Sequence, residues 1–112
     1  MTVFERIAAK EIPAQIVHES DEFIAFHDTN AQAPVHVLIV PKRCIPRVAE
    51  AAESDAPLLG RMLAASREIA EKLGVLQSGY RLVINNGRNA GETVPHLHIH
   101  LLAGRALHWP PG

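Results

Sequence analysis

Three histidines occupy every second position near the C-terminus of the chain, in the segment His96-Leu97-His98-Ile99-His100. Because side chains of a β-strand alternate between its two faces, this spacing predicts that the three imidazoles share one face. The intervening apolar residues would then face a buried core. A strand face exposed to solvent more often carries Thr, Lys, Glu or Arg, so we interpret the histidine row as part of a functional site.

Imidazoles in such a row could bind a metal or act as covalent catalysts. Alternate residues on a strand lie about 6.5–7 Å apart, so three of them in a line cannot easily make bonds of about 2.0–2.1 Å to one zinc ion. A zinc site would need two members of the row together with His36 or another ligand. Covalent catalysis needs no ion, because an imidazole titrates at about pH 6.5 and one ring can attack phosphorus while another donates.

The segment before the row, residues 86–95, is rich in glycine and asparagine and is predicted to be a loop. Gly87 and Gly91 would let backbone N–H groups approach an anion, and Thr93 adds a hydroxyl. Such a loop is often only a turn. Beside three histidines, however, it favours a ligand that contains phosphate.

The elements that would position these groups can be predicted from apolar spacing and turn residues. Short β-rich runs predict a hairpin from residues 15–19 and 22–27, a third strand over 35–40, a fourth over 80–85 and a fifth over 96–102. Helical spacing predicts a short helix over 3–9 and a long one over 55–73, with Ser54 as its N-cap. Strands in runs, without alternating βαβ units, predict an α+β fold with an antiparallel sheet.

Composition narrows the class of protein. The chain has 112 residues, 47% hydrophobic and 21% charged, which predicts a single domain over 1–112. A formal net charge of −1, without a basic cluster, argues against nucleic-acid binding. The single cysteine, Cys44, excludes an intramolecular disulfide and is typical of a reducing compartment. With no signal-type or membrane-length apolar run, we expect a cytoplasmic protein that does not associate with membranes.

Together with its neighbouring segments, the row resembles the histidine triad (HIT) family, and in particular its nucleotide-binding (Hint) branch. The resemblance covers residues 26–42, 79–87 and 91–105, and the ending Leu107-His-Trp-Pro-Pro-Gly112. It implies a HIT-like α+β fold with a five-stranded antiparallel sheet, one long helix and one short helix. It also implies that the sheet continues across a homodimer. The implied activity is hydrolysis of the P–N bond of purine nucleoside 5′-phosphoramidates (AMP or GMP conjugates), without a metal or other cofactor.

The resemblance also implies a role for each matching residue. His98 would be the nucleophile that forms a nucleotidyl-histidine intermediate, and His96 would orient it through its backbone carbonyl. His100 would hold a phosphate oxygen, His36 would complete the proton network, and Asp28 would bind the ribose hydroxyls. The other implied nucleotide-binding residues are Asn85, Gly91 and Thr93 near the phosphate and leaving amine, Phe4, Ile7 and Phe26 around the base, and Trp109, which would reach the partner subunit's site.

Three positions depart from the family pattern. Glu92 stands where Gln is common and would place a carboxylate beside the phosphate loop, where it either weakens anion binding or points to solvent. Thr29 replaces an aliphatic residue near the base, and Pro95 replaces an aromatic residue and cannot donate a ladder hydrogen bond. No role in the site is predicted for His18, His27 or Cys44.

Two other functions stay open. One is hydrolysis of dinucleoside polyphosphates, the activity of another HIT branch, against which the short chain and the Trp-Pro-Pro-Gly ending argue. The other is a nucleotide-binding regulatory module in which hydrolysis is incidental.

Overall fold

The computed structural model describes residues 1–112 and contains one five-stranded sheet and two α-helices. The strands are β1 (Ile16–Glu19), β2 (Phe23–His27), β3 (Val35–Pro41), β4 (Tyr80–Val83) and β5 (Ile99–Ala103), and the helices are α1 (Val3–Ala8) and α2 (Ala56–Lys72). The strand order is β1-β2-β3-β5-β4, and every neighbouring pair is antiparallel. The predicted α+β fold with a five-stranded antiparallel sheet is therefore confirmed. Neither helix combines the length and apolar character that crossing a bilayer requires.

Alternation along the central strands divides the apolar side chains between two clusters. One cluster packs against α2 and includes Phe23, Ala25, Val37, Ile39, Leu97, Ile99, Leu101, Leu58, Met62 and Ile69. The other contains Phe4, Ile7, Ile24, Phe26, Leu38 and Val40. The second face is thus covered by the six-residue helix α1 and by the partly buried side chains of Ile12, Ala14 and Val94. His36 and His100 lie on this second face, because His36 precedes Leu38 by two residues and His100 pairs with Leu38 across the ladder.

Helix α1 begins with a reciprocal capping arrangement. The Thr2 hydroxyl accepts the Glu5 N–H at 3.1 Å, and the Glu5 carboxylate accepts the Thr2 N–H at 2.9 Å. This satisfies two backbone groups that helix geometry leaves without partners. So short a helix gains little from propensity, and this cap together with the buried Phe4 and Ile7 holds it on the sheet.

The predicted start of the fifth strand at His96 is wrong, since β5 begins at Ile99. Pro95 and Pro41 have no N–H to donate where the ladder between β3 and β5 would continue. The chain turns instead. The His96 N–H donates to the Val94 carbonyl at 2.8 Å, and the Leu97 N–H donates to the Ile45 carbonyl at 2.6 Å.

Other element ends also differ from the prediction. Strand β4 ends at Val83, because its last partner is His100 and β5 provides little ladder beyond it. Helix α2 begins at Ala56, with Asp55 rather than Ser54 at the N-cap position. The Asp55 carboxylate accepts the Ala52 N–H at 2.8 Å and pairs with Arg43, so it holds the preceding turn and does not cap α2.

Candidate active site

His96 lies behind the site and not on its surface. Its side chain is 0% exposed, with Nε2 at 2.7 Å from the Pro41 carbonyl and Nδ1 at 2.7 Å from Thr2 Oγ1. Since a carbonyl only accepts, Nε2 carries the proton and Nδ1 accepts from the Thr2 hydroxyl. Burial lowers the pKa of His96 and keeps it neutral. The prediction that all three imidazoles line one groove is therefore wrong for His96.

His98 lies immediately before β5 and is 8% exposed. Its Nδ1 lies 2.7 Å from the backbone carbonyl of His96, so Nδ1–H donates and Nε2 keeps an unprotonated lone pair. The ring meets Phe4 edge-on at 5.0 Å between centroids and His100 at 4.9 Å. These contacts fix the plane of an imidazole whose free nitrogen can act as a nucleophile.

His36 and His100 form a directed hydrogen-bond chain. The backbone N–H of Gln32 donates to His36 Nδ1 at 3.0 Å, which places the His36 proton on Nε2. That proton is donated to His100 Nδ1 at 2.9 Å, so the proton of His100 resides on its own Nε2. Burial lowers the pKa of His36, and burial is also the main cause that lowers the pKa of His100 to about 4. At neutral pH, His100 is thus an uncharged donor beside His98.

A cavity of about 680 Å³ lies between α1 and the sheet. None of His36, His96, His98 and His100 lines it, but Phe4 in its wall contacts the His98 ring, and Asp28 contacts His36. The cavity brings together five residues of the predicted nucleotide site, namely Phe4, Ile7, Phe26, Asp28 and Thr29. Its size suits a small organic ligand, whose sites measure about 300–1,000 Å³. Its walls are mainly apolar, and its polar groups are concentrated at the end of β2. His27, for which no role was predicted, also lines it.

Asp28 connects the cavity with the histidine chain. Its Oδ1 accepts the Asn30 N–H at 2.8 Å, and its Oδ2 lies 3.4 Å from His36 Nε2. The side chain is 21% exposed, so the carboxylate can still accept from a ligand.

Several predicted residues lie outside this cavity. Asn85 is half-buried and Gly91 and Thr93 are exposed in the loop that precedes the histidines. Trp109 is 82% exposed in the C-terminal segment, which the Arg81 guanidinium ties to the edge strand β4 through the His108 carbonyl at 2.9 Å. Glu92 does not point to solvent. It pairs with Arg47 through contacts of 2.9 and 3.0 Å.

Two clusters bring three potential metal-ligand atoms within 4.8 Å of one another, Asp28–His36–His100 and Glu5–Cys44–His96. In the first cluster, the facing nitrogens of the two histidines are already joined by a hydrogen bond. In the second, both nitrogens of His96 have partners. A metal at either place would have to displace these bonds.

Sequence reasoning missed Thr2 and the Gln32 backbone N–H, which bind His96 and His36, and Arg47, which holds Glu92 in the loop before the histidines. The Thr2-x-x-Glu5 pattern is a capping-box signature and could have identified Thr2. A backbone N–H leaves no mark in the side-chain pattern, and the Arg47–Glu92 pair joins positions 45 residues apart.

Known proteins resemble this chain in both sequence and fold. A family model described as the HIT domain matches residues 9–107. An uncharacterized HIT-like protein of Synechocystis is 50% identical over 111 residues, covering 99% of this chain and 96% of that protein, and one of Synechococcus elongatus is 51% identical with the same coverage. The crystal structure of a HIT family hydrolase from Legionella pneumophila is 41% identical, with a TM-score of 0.96 and full coverage of both chains. A HIT family hydrolase from Clostridium thermocellum is 46% identical, with a TM-score of 0.92 and coverage of 96% of this chain and 93% of that one. This chain therefore belongs to the HIT family.

Proposed function

We propose that this protein hydrolyses the P–N bond of purine nucleoside 5′-phosphoramidates, with His98 as the nucleophile. Similarity to HIT family hydrolases supports a hydrolase. The observation that carries the proposal is the 2.7 Å hydrogen bond from His98 Nδ1–H to the His96 carbonyl, because it leaves the His98 Nε2 lone pair free to attack.

The proposed reaction has two displacements at phosphorus. In the first, His98 Nε2 bonds to phosphorus, the bond from phosphorus to the amine nitrogen breaks, and the amine leaves with a proton from solvent. In the second, water attacks phosphorus, the Nε2–P bond breaks, and nucleoside monophosphate is released with the water's proton lost to solvent. The His96 carbonyl stabilises the positive charge that the ring acquires while Nε2 is bonded to phosphorus.

His100 is proposed to donate its Nε2–H to a non-bridging phosphate oxygen. The chain from the Gln32 N–H through His36 supports this assignment, since it leaves that proton pointing away from His36. The low pKa of His100, about 4, means that the donor stays neutral, so it orients the phosphate without titrating near pH 7.

The nucleoside is proposed to occupy the cavity beside α1. Phe4, Ile7 and Phe26 would enclose the base, and the tilted pair of Phe4 and Phe26 at 5.8 Å supplies aromatic surface for it. Asp28 would accept hydrogen bonds from the ribose hydroxyls, with Thr29 beside it. Asn85, Gly91 and Thr93 are proposed to contact the phosphate and the leaving amine.

A homodimer is part of the proposal. Strand β4 is an edge of the sheet, and an edge strand carries unpaired backbone groups that a second copy could satisfy. Ile84, which follows this edge, and Trp109, whose segment is tied to it, are both exposed apolar residues. Light scattering should give twice the mass of the 12.2 kDa chain, and a monomer mass would contradict this part of the proposal.

The test of the activity is amine release from an adenosine 5′-phosphoramidate. His98→Ala should abolish it, whereas the control His18→Ala should retain it, because His18 stacks on Phe23 at 5.5 Å in β1–β2, outside the site. Equal activity in the two variants would contradict the proposal. Faster turnover of a dinucleoside polyphosphate would favour the other HIT branch, and tight nucleotide binding with almost no turnover would favour a regulatory module.

A further inference from the structure

The carboxylate of Glu92 is fully engaged by donors from two other segments. Arg47 approaches it in a bidentate pair, with Nε 2.9 Å from Oε1 and Nη2 3.0 Å from Oε2. Oε1 also accepts the Gly87 N–H at 2.9 Å. Arg47 further contacts Glu50 through Nη1. Two parallel hydrogen bonds between a guanidinium and a carboxylate fix both the position and the orientation of the carboxylate.

These bonds fasten the loop that precedes the histidines. The Glu92 N–H donates back to the Gly87 carbonyl at 3.2 Å, so residues 87–92 form a closed ring. The Asn86 side chain accepts the Ala49 N–H at 2.8 Å. The loop is thereby joined at two points to the segment around Arg47, which holds the backbone N–H groups of the proposed phosphate loop in one arrangement.

The same pair also sets the charge of this loop. Glu92 lies four residues before His96, and its pKa is lowered to about 2, first by the hydrogen bonds from Arg47 and then by the Gly87 N–H. Glu92 is therefore ionised at neutral pH, in the loop that leads directly into the histidines. A carboxylate without Arg47 would repel a phosphate brought to His98.

We propose that Arg47 is a positioning residue that neutralises Glu92 and so allows this end of the site to accept an anionic phosphate. This inference rests on the proposed function, because the position of the phosphate at His98 is taken from it. Because Arg47 already has two carboxylate partners, it acts through Glu92 and does not need to touch the substrate.

The test is a set of variants measured for KM with an adenosine 5′-phosphoramidate and for Kd with AMP. Arg47→Ala leaves a charged Glu92 near the phosphate and should raise both constants about tenfold with kcat nearly unchanged. Adding Glu92→Gln should bring both back to within about threefold of the wild type, since Gln keeps an oxygen for Gly87 N–H but carries no charge. Arg47→Lys keeps the positive charge but lacks the planar guanidinium that pairs with both carboxylate oxygens. Its KM and Kd should therefore lie between those of Arg47→Ala and Arg47→Ala/Glu92→Gln.

The matched control is the pair of Arg61 and Glu22, which has the same bidentate geometry at 2.8 and 2.9 Å but joins α2 to the β1–β2 turn. Arg61→Ala should leave KM and Kd unchanged, and unfolding midpoints will show that every variant is folded. If Arg47→Ala and Arg47→Ala/Glu92→Gln raise KM and Kd equally, or if neither does, the proposal is overturned. Should the wild type bind AMP but not cleave the phosphoramidate, the proposed function fails while the AMP titrations still test Arg47. Absence of AMP binding by the wild type would overturn both.

Discussion

Replacing Thr2 with valine tests the connection between helix α1 and the histidine cluster. The Thr2 hydroxyl makes two bonds at once, accepting the Glu5 N–H at 3.1 Å and donating to His96 Nδ1 at 2.7 Å. Valine has nearly the same shape and no oxygen, so both bonds are lost while the packing is retained. The Glu5 N–H can turn to water, but His96 Nδ1 is buried and has no other donor.

The two losses set the expected magnitude. Removing an N-cap hydroxyl costs about 1 kcal/mol, and leaving a buried acceptor unsatisfied costs about 1–3 kcal/mol. Thr2→Val should therefore lower the free energy of unfolding by about 2–4 kcal/mol, a large part of the stability of a domain this small.

The assay is urea unfolding followed by far-UV circular dichroism, with Thr2→Ser as the matched control. Serine keeps the hydroxyl and should stay within about 0.5 kcal/mol of the wild type, with the same m-value in all three proteins. A loss below about 1 kcal/mol for valine, or an equal loss for serine, would refute the assignment of the Thr2–His96 bond as a support of the site.

Two further predictions concern stability. Burial lowers the pKa of His100 to about 4, so between about pH 6.5 and 4 the unfolded chain binds protons that the folded chain does not. This contribution to stability is complete above pH 6.5 and is lost as pH falls, and a urea midpoint that stays constant or rises from pH 7 to 5 would contradict it. Gly104 has φ +92° and a Cβ there would lie 2.8 Å from Pro34 Cβ, so Gly104→Ala should cost at least about 2 kcal/mol. The control Gly60→Ala, in open space on α2, should stabilise by about 0.5–1 kcal/mol, and similar unfolding midpoints for the two variants would count against this explanation.

Strand alternation predicted the two-faced sheet well because it depends only on local side-chain direction. Leu97 and Ile99, the apolar residues between the histidines, pack in the core against α2 as the pattern requires. The same rule failed at His96. Pro95 and Pro41 together prevent the ladder from continuing, and the ring turns inward to long-range partners that no local pattern contains.

For the site, what could be predicted from the sequence differs from residue to residue. Asp28 and Phe26 were identified only through the resemblance, because a turn aspartate and a core phenylalanine are the ordinary interpretations of such residues. The proton positions on His36 and His100 could not be predicted, since they follow from the Gln32 backbone N–H, which any residue would supply. Thr2 could have been identified from its capping pattern.

The central claim is that His98 carries the nucleotide between the two displacements, and mass spectrometry of a quenched reaction tests it most directly. Enzyme mixed with excess adenosine 5′-phosphoramidate is quenched within a single turnover and digested, and the peptide containing His96, His98 and His100 is fragmented. We predict an adenylyl group on His98 in the wild type, with no adduct and no amine release in His98→Ala. Turnover without an adduct, or an adduct on a different residue, would contradict the account.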